Sequence, residues 1–418
     1  KMAELDALVG PPLTTPVVGD QAGPFAGVPT VIKDNSDVRG LPTGQGSEII
    51  RVRPVARHGP VAGEMLSMGF GVVAKTTLPE FGLSASTEFP TRPPTRNPWN
   101  LEYSAGASSG GSAALVAAGA VPLAHGNDGG GSIRIPAACT GLVGLKPSCG
   151  RFVLPTLEKL LPVAIVSEGV LTRSVRDTAA FWARADRTSA RRLRPIGTVT
   201  GPSARRLRVG VIRQSPAGGP TDTETLAGLD AAAALLEQLG HTVDEMTTVP
   251  IDPRFPEDFV EYWSFLAYLL QMSTPRLDGR TRRDFDTLTV GLADRFRRTR
   301  YRLPTVVRRL RRASADYASM FASVDVVLSP VVGHTTPVLG HLSPHVPFEQ
   351  YLDRLTSYAA FTPLHNVAGA PAMSLPLGQS SAGLPVGVMF SAVQGDERTL
   401  LELAFEIEDA VPWRSLAD

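Results

Sequence analysis

Residues 127–136 read NDGGGSIRIP: three consecutive glycines, then Ser132 and Arg134 on either side of an isoleucine. A glycine run lets successive backbone N–H groups turn toward one point, which suits a bound phosphate or the oxyanion of a reacting carbonyl. Two phosphate readings fail on spacing. A Walker-type loop needs a lysine and then Ser or Thr after its last glycine, whereas Ser132 and Ile133 follow Gly131. A dinucleotide fingerprint needs strand, glycines and helix in a set frame with an acid about 20 positions on, and the region offers no such match. GASSG, residues 106–110, matches the G-x-S-x-G nucleophile elbow. That elbow must leave a buried strand, and the preceding NPWNLEYSA cannot form one, so Ser108 is not an elbow nucleophile. A serine hydrolase organised in another way stays open.

A base for such a serine can be sought among few residues. Lysine occurs only at Lys1, Lys33, Lys75, Lys146 and Lys159, and arginine supplies every other cationic side chain. Arginine keeps its proton in a protein, whereas a buried lysine can become a neutral base. In so biased a chain an internal lysine can mark a place arginine cannot fill, with chance as the plain alternative. His125 adjoins the glycine loop, but no H-E-x-x-H or Cys-His cluster accompanies it, so neither a metal nor another cofactor is expected. Cys139 and Cys149 are too few for a disulfide framework; they read as packed or inert, in a reducing cytoplasm.

These residues must be positioned by short alternating elements. GVPTVIKDN reads as a strand running into a polar turn, GPVAGEMLSMG as a helix, and GVVAKTTLPEFG as strand, turn and helix start. The prolines and asparagines of TRPPTRNPWNLEYSAGASSGG forbid regular structure. GSAALVAAGA then reads as helix, VPLAHG as buried strand, NDGGGS as loop, IRIPAACTG as short helix and LVGLKPS as strand. RRLRVGVIRQ and DVVLSPVV are further strands, with helices over about 222–239 and 256–272. This alternation predicts an α/β layered fold with a partly parallel sheet.

The 418 residues, 43% of them hydrophobic, can bury a large core in one big domain or two. A net charge of +1 gives no drive toward nucleic acid or membrane. The opening KMAELDALVGPP lacks the apolar run of a signal peptide, and its first residue, Lys, points to a missing N-terminal piece. AALVAAGAVPLA, broken by Pro122, falls short of the roughly 18 apolar residues of a membrane helix. The arginine-dense stretch 279–312 could face nucleic acid. It reads better as solvated helices with Phe296, Tyr301 and Leu310 on the packed side and Asp284, Asp286 and Asp294 interleaved.

GVPTVIKDN, the block GASSGGSAALVAAGAVPLAHGNDGGGSIRIPAACTGLVGLKPSCGR and FTPLHNVAGAPAMSLPL together resemble the amidase signature family. AKTTLPEFG, TRNPWN and GLPVGV sit where that family places comparable segments, and residues 190–320 match least. The resemblance implies a single domain over 1–418 with a large twisted mixed β-sheet covered on both faces by helices. Its signature core spans about 25–155, a substrate-shaping segment about 190–320, and a return to the core about 321–418. It also implies a triad of Lys33, Ser108 and Ser132, with a cis peptide bond between Ala107 and Ser108. Lys33 would take the proton of Ser132 through Ser108, Ser132 would attack the amide carbonyl, and backbone N–H groups of Gly129, Gly130, Gly131 and Ser132 would hold the oxyanion. An acyl-enzyme would form and water would cleave it.

Around this triad, Asp128 and Arg134 would pair to brace the loop, and Ser109 would support the loop or cap the next helix. Lys146 and Lys75 would tie down backbone. Where the family often reads Gly-Thr-Asp-Thr, this chain has Gly126-Asn127-Asp128-Gly129, wording similar to a branch that includes hydrolases of cyclic aminohexanoate oligomers. The leading reading is an amidase for a small non-peptide, aryl or alkyl amide, with no nucleic-acid or membrane partner and a homodimer compatible with it. The runners-up are the glutaminase subunit of a tRNA-dependent amidotransferase, whose tyrosine-glycine segment is not apparent in GRFVLPTLEKLLPV, and an inactive binding protein, against which the complete triad argues. Residues 152–163, FVEYWSFLAYLL, VVGHTTP and FTPLHN are the candidate substrate-shaping segments.

Overall fold

A computed structural model describes residues 2–153, 160–186, 193–216, 219–247, 249–274 and 281–416. The β-branched runs form two sheets. β1 (Pro29–Lys33) and β2 (Gly71–Thr76) pair in parallel as a separate two-stranded sheet. The large sheet holds β3 (Leu123–Asp128), β4 (Val143–Lys146), β5 (Ser167–Thr172), β6 (Arg208–Val211), β7 (Thr242–Glu245), β8 (Val326–Pro330), β9 (Ala372–Gln379) and β10 (Pro385–Ser391). Its order is β3-β5-β4-β9-β10-β8-β6-β7. It is mixed: β6 runs parallel to β7 and β8, and the remaining neighbours are antiparallel.

The expected strands are present with one shift. VPLAHG becomes a strand that begins later and runs on through Asn127 and Asp128, which face Glu168 and Ser167 of β5. Ladder pairing thus draws two residues assigned to the loop into the sheet. The least typical segment is also part of the architecture, because its β6 and β7 form one edge of the large sheet.

The helices are α1 (Pro60–Ser67), α2 (Gly110–Ala117), α3 (Arg134–Thr140), α4 (Val175–Ala185), α5 (Thr223–Gln238), α6 (Phe255–Ser273), α7 (Thr287–Thr299), α8 (Leu303–Ser319), α9 (Phe348–Tyr358), α10 (Pro363–Val367) and α11 (Glu397–Ala410). The period-two alternation of β10 sends them to opposite faces. Val388 and Phe390 join the core made with Leu229 of α5, Trp182 of α4 and Leu400 of α11, while Met389 joins Ile135 and Ala138 of α3, Leu292 of α7 and Leu355 of α9. In the arginine-dense stretch, Phe296 and Leu310 are buried as expected. Tyr301, however, is 78% exposed, because it falls on the one-turn link between α7 and α8 rather than on their packed stripe. Arg295, Arg297, Arg302 and Arg309 pair with Glu261, Asp294, Glu257 and Asp258. No helix of the described residues is long and apolar enough to cross a membrane.

The helix that follows Ser132 sits unusually close to the sheet. A Cβ at Gly144 of β4 would come within 2.5 Å of Ala137 Cβ, and one at Gly387 of β10 within 2.4 Å of Ala138 Cβ. Two glycines therefore let α3 lie against the backbone of β4 and β10, which fixes the height of the loop in front of it. Gly387→Ala is expected to push α3 off the sheet and cost about 1–3 kcal/mol. Urea unfolding would read the loss, and kcat should fall with it.

Candidate active site

Lys33 is the last residue of β1 and is fully buried. Its Nζ lies 2.7 Å from Ser108 Oγ, 3.1 Å from Ser109 Oγ and 2.5 Å from Asn127 Oδ1. The small sheet meets the large one beside β3. There the Thr30 hydroxyl donates to the Leu123 carbonyl, and the Lys33 N–H donates to His125 Nδ1. Ser108 arrives from the irregular segment before α2, behind a cis Ala107–Ser108 peptide bond as the resemblance implied. Ser109 occupies the position before α2 but makes no side-chain cap. Its hydroxyl instead donates to the Asn127 carbonyl at 3.4 Å and accepts from Lys33, so of its two expected roles it performs loop support.

Asp128, at the end of β3, gathers the glycine loop. Its carboxylate accepts the N–H groups of Gly131 at 2.8 Å, Ile133 at 3.1 Å and Arg134 at 3.4 Å, together with the Arg134 guanidinium at 2.8 and 3.0 Å. Arg134 reaches on to the Thr362 carbonyl at 3.0 Å and Asn366 Oδ1 at 2.7 Å, and Asn366 Nδ2 donates back to Asp128. Burial alone would raise the Asp128 carboxyl, but the charge and hydrogen bonds of Arg134 override it and hold the group below the usual carboxylate range. The expected Asp128–Arg134 brace is present.

The same brace corrects one expectation. The N–H of Gly131 is spent on Asp128, and its φ of +133° suits only glycine, so Gly131 leaves the set of four oxyanion donors. Gly129, Gly130 and Ser132 are not drawn into the brace. Thr362 instead holds Gly130 from the carbonyl side at 2.5 Å.

Ser132 lines a cavity of 490 Å³ with Gly130 and Ala107. No hydrogen bond joins its hydroxyl to Ser108 among the described residues. The site brings Lys33 and Ser108 together and leaves Ser132 free on the cavity wall. Apolar side chains dominate that wall, among them Leu83, Ile135, Phe259, Val260, Trp263 and Leu355. The Phe259 and Trp263 rings stack at 5.7 Å between centroids and stand over Gly130 and Gly129.

The substrate-shaping candidates sort accordingly. FVEYWSFLAYLL gives Phe259, Val260 and Trp263 to the cavity, while Tyr262 and Leu266 are core. FTPLHN gives Pro363 to the wall and Thr362 and Asn366 to the brace. No residue of VVGHTTP lines the cavity, and residues 154–159 of the 152–163 stretch lie outside the described residues. The walls from α9 and from residues 83–85 lie outside every motif of the sequence.

Lys75 bonds Asp34, the Pro42 carbonyl and Thr43, and Lys146 bonds the Pro147 carbonyl, so both tie down backbone. Cys139 is buried against the Tyr358 hydroxyl, and burial pushes its thiol up, away from reactivity. Asn127 stands in the sequence only as a departure from Gly-Thr-Asp-Thr, and that departure is the one signal of the side chain that accepts from Lys33.

Arg134→Met would leave the Asp128 carboxylate buried without its counter-charge. It is expected to cost about 3–5 kcal/mol in urea unfolding and to abolish activity even where the chain still folds.

The amidase family profile matches residues 13–401. A Mycobacterium leprae protein named "Putative amidase AmiC" is 50% identical, over 94% of this chain and 84% of its own length. The 6-aminohexanoate-cyclic-dimer hydrolase of Paenarthrobacter ureafaciens is 35% identical, over 94% of this chain and 84% of its own. A solved structure of 6-aminohexanoate cyclic dimer hydrolase complexed with substrate superposes with a TM-score of 0.85 at 33% identity, covering 95% of this chain and 88% of that one. With its mixed sheet and surrounding helices, the chain belongs to the amidase signature family and is an amidase, acting on C–N amide bonds.

Proposed function

We propose that the chain hydrolyses a small non-peptide amide, aryl or alkyl on at least one side, through a Lys33–Ser108–Ser132 triad. The observation that carries the reading is the buried 2.7 Å contact of Lys33 Nζ with Ser108 Oγ, one residue from a cavity that Ser132 lines. Asn127 Oδ1 can only accept, and the Ser109 hydroxyl has its own hydrogen directed at the Asn127 carbonyl. A neutral amine gives its two hydrogens to these groups and keeps its lone pair for the Ser108 O–H. Ser108 is then a hydroxyl that passes one proton on while receiving another.

Ser132 Oγ attacks the amide carbon as its proton moves to Ser108 and the Ser108 proton moves to Lys33. The carbonyl π pair becomes the oxyanion, which the N–H groups of Gly129, Gly130 and Ser132 are suited to hold. When the tetrahedral adduct collapses, the C–N bond breaks and the proton returns from Lys33 through Ser108 to the departing nitrogen. Water adds to the acyl-enzyme by the same route and releases the acid. Apolar walls favour a hydrocarbon or aromatic substituent over a glutamine side chain. The 6-aminohexanoate hydrolases among the relatives act on an amide of that aliphatic kind, which supports the same class for this chain.

Release of ammonia or amine from a panel of aryl, alkyl and cyclic amides tests the reading. Ser132→Ala is expected to lower kcat/KM by on the order of 10⁴- to 10⁶-fold and Lys33→Ala by a comparable factor, with their effects far from additive. Turnover that survives in Ser132→Ala would sink the assignment of the nucleophile. Trp263→Ala is expected to raise KM for aryl amides about 10- to 100-fold with kcat nearly unchanged, because it removes wall contact and no reacting group. Steady-state kinetics on matched aryl and methyl amides would separate the two effects.

A further inference from the structure

Glu168 of β5 is a buried acid with no place in the proton route above. In the β3–β5 ladder it stands directly opposite Asn127, and cross-strand partners of an antiparallel pair share a face. His125, two residues before Asn127, shares that face as well. These three side chains converge on Lys33 from different points. Asn127 Oδ1 takes its amine, His125 Nδ1 accepts its backbone N–H at 3.3 Å, and Glu168 Oε2 lies 2.8 Å from His125 Nε2. Because Nδ1 accepts, the ring hydrogen sits on Nε2 and is donated to Glu168.

We propose that Glu168, acting through His125, is a positioning residue for Lys33: the pair clamps the tip of β1, and Glu168 supplies the negative charge against which the Lys33 amine gains and loses its proton. The inference rests on the reading of Lys33 as the base. It goes beyond that reading by giving the base a buried partner outside the triad.

Burial pushes the Glu168 carboxyl up, and the charge of Lys33 pulls it the other way, so the carboxyl is ionised beside a protonated Lys33, and release of the Lys33 proton leaves that buried carboxylate without its counter-charge. Burial, with the charges of Lys33 and Lys75, drives His125 down to about 3. The imidazole therefore stays neutral and transmits orientation rather than charge. The other charges near the pair are Lys75 of β2 and its partner Asp34, 2.6 Å apart. Asp128 alternates to the opposite face of β3 together with Ser167, the residue that Lys146 of β4 approaches at 3.4 Å.

Glu168→Gln separates tuning from structure. A glutamine oxygen still accepts from His125 Nε2, so a purely structural role is conserved. Protonated Lys33 loses its counter-charge and gives up its proton more readily. The acid limb of the kcat/KM–pH profile, measured on the best amide of the panel, is expected to move to lower pH by about 1 unit. His125→Asn is the second variant: its Oδ1 can still accept the Lys33 N–H, but Glu168 loses its donor and ionises less readily. The limb should move the same way by less, with the double variant adding little to Glu168→Gln alone. Thermal melts establish that each variant is folded, and His125→Asn decides the matter if Glu168→Gln does not fold.

An acid limb that stays in place, or moves to higher pH, in a folded variant overturns the proposal. Failure of the underlying reading is seen separately, as turnover in Ser132→Ala or wild-type activity with no acid limb.

Discussion

The Asp128–Arg134 ion pair is the constraint on which the glycine loop depends. A run of three glycines has almost no conformational preference of its own, and each glycine loses more freedom on folding than any other residue. The loop is ordered because one carboxylate at the end of a strand collects three backbone N–H groups and a guanidinium. That guanidinium is in turn seated by Thr362 and Asn366 from a distant part of the chain. Both charges are wholly buried, so the arrangement holds only while it is complete: either ion alone would carry an uncompensated desolvation cost. Its by-product is that the Gly131 N–H is committed to Asp128.

A second constraint concerns Lys33, the proposed base. Lys33 ends a strand that belongs to the small sheet, while its serines and its asparagine belong to the α2 entrance and to β3. The two sheets are stitched by hydrogen bonds from the Thr30 side chain and to the His125 ring rather than by a continuous backbone ladder. The geometry at Lys33 thus depends on side-chain identities at β3, the strand that carries the polar residues His125 and Asn127.

Much of this was legible in the sequence, for physical reasons that differ by element. Periodicity located β1, α1, α2, β4 and α5 because each has a solvent-facing or turn-bounded limit. Spacing separated the glycine loop from phosphate loops, and the extended resemblance brought Lys33, Ser108 and Ser132 into one site. Four things stayed hidden. β3 runs through Asn127 and Asp128 because β5 pairs with them, and no local signal announces a partner 40 residues away. Gly131 was counted among the oxyanion donors because a motif shows which residues adjoin but not which N–H a neighbouring carboxylate has claimed. Tyr301 was placed on a helical stripe that the one-turn break between α7 and α8 interrupts. Glu168, in a run without any motif, is visible only once its strand is registered against β3.

The stacked rings of Phe259 and Trp263 belong to α6, a helix that supplies none of Lys33, Ser108 and Ser132, nor any member of the ion-pair brace. On the proposed reading, chemistry and selectivity come from separate stretches of chain that meet at the cavity wall. Exchanging one aromatic side chain of α6 for another reshapes what can enter while leaving the Lys33–Ser108 contact and the Asp128 brace untouched. Such a division lets descendants of one gene inherit an intact reaction and diversify its clientele, with the least family-like part of the chain as the part free to vary.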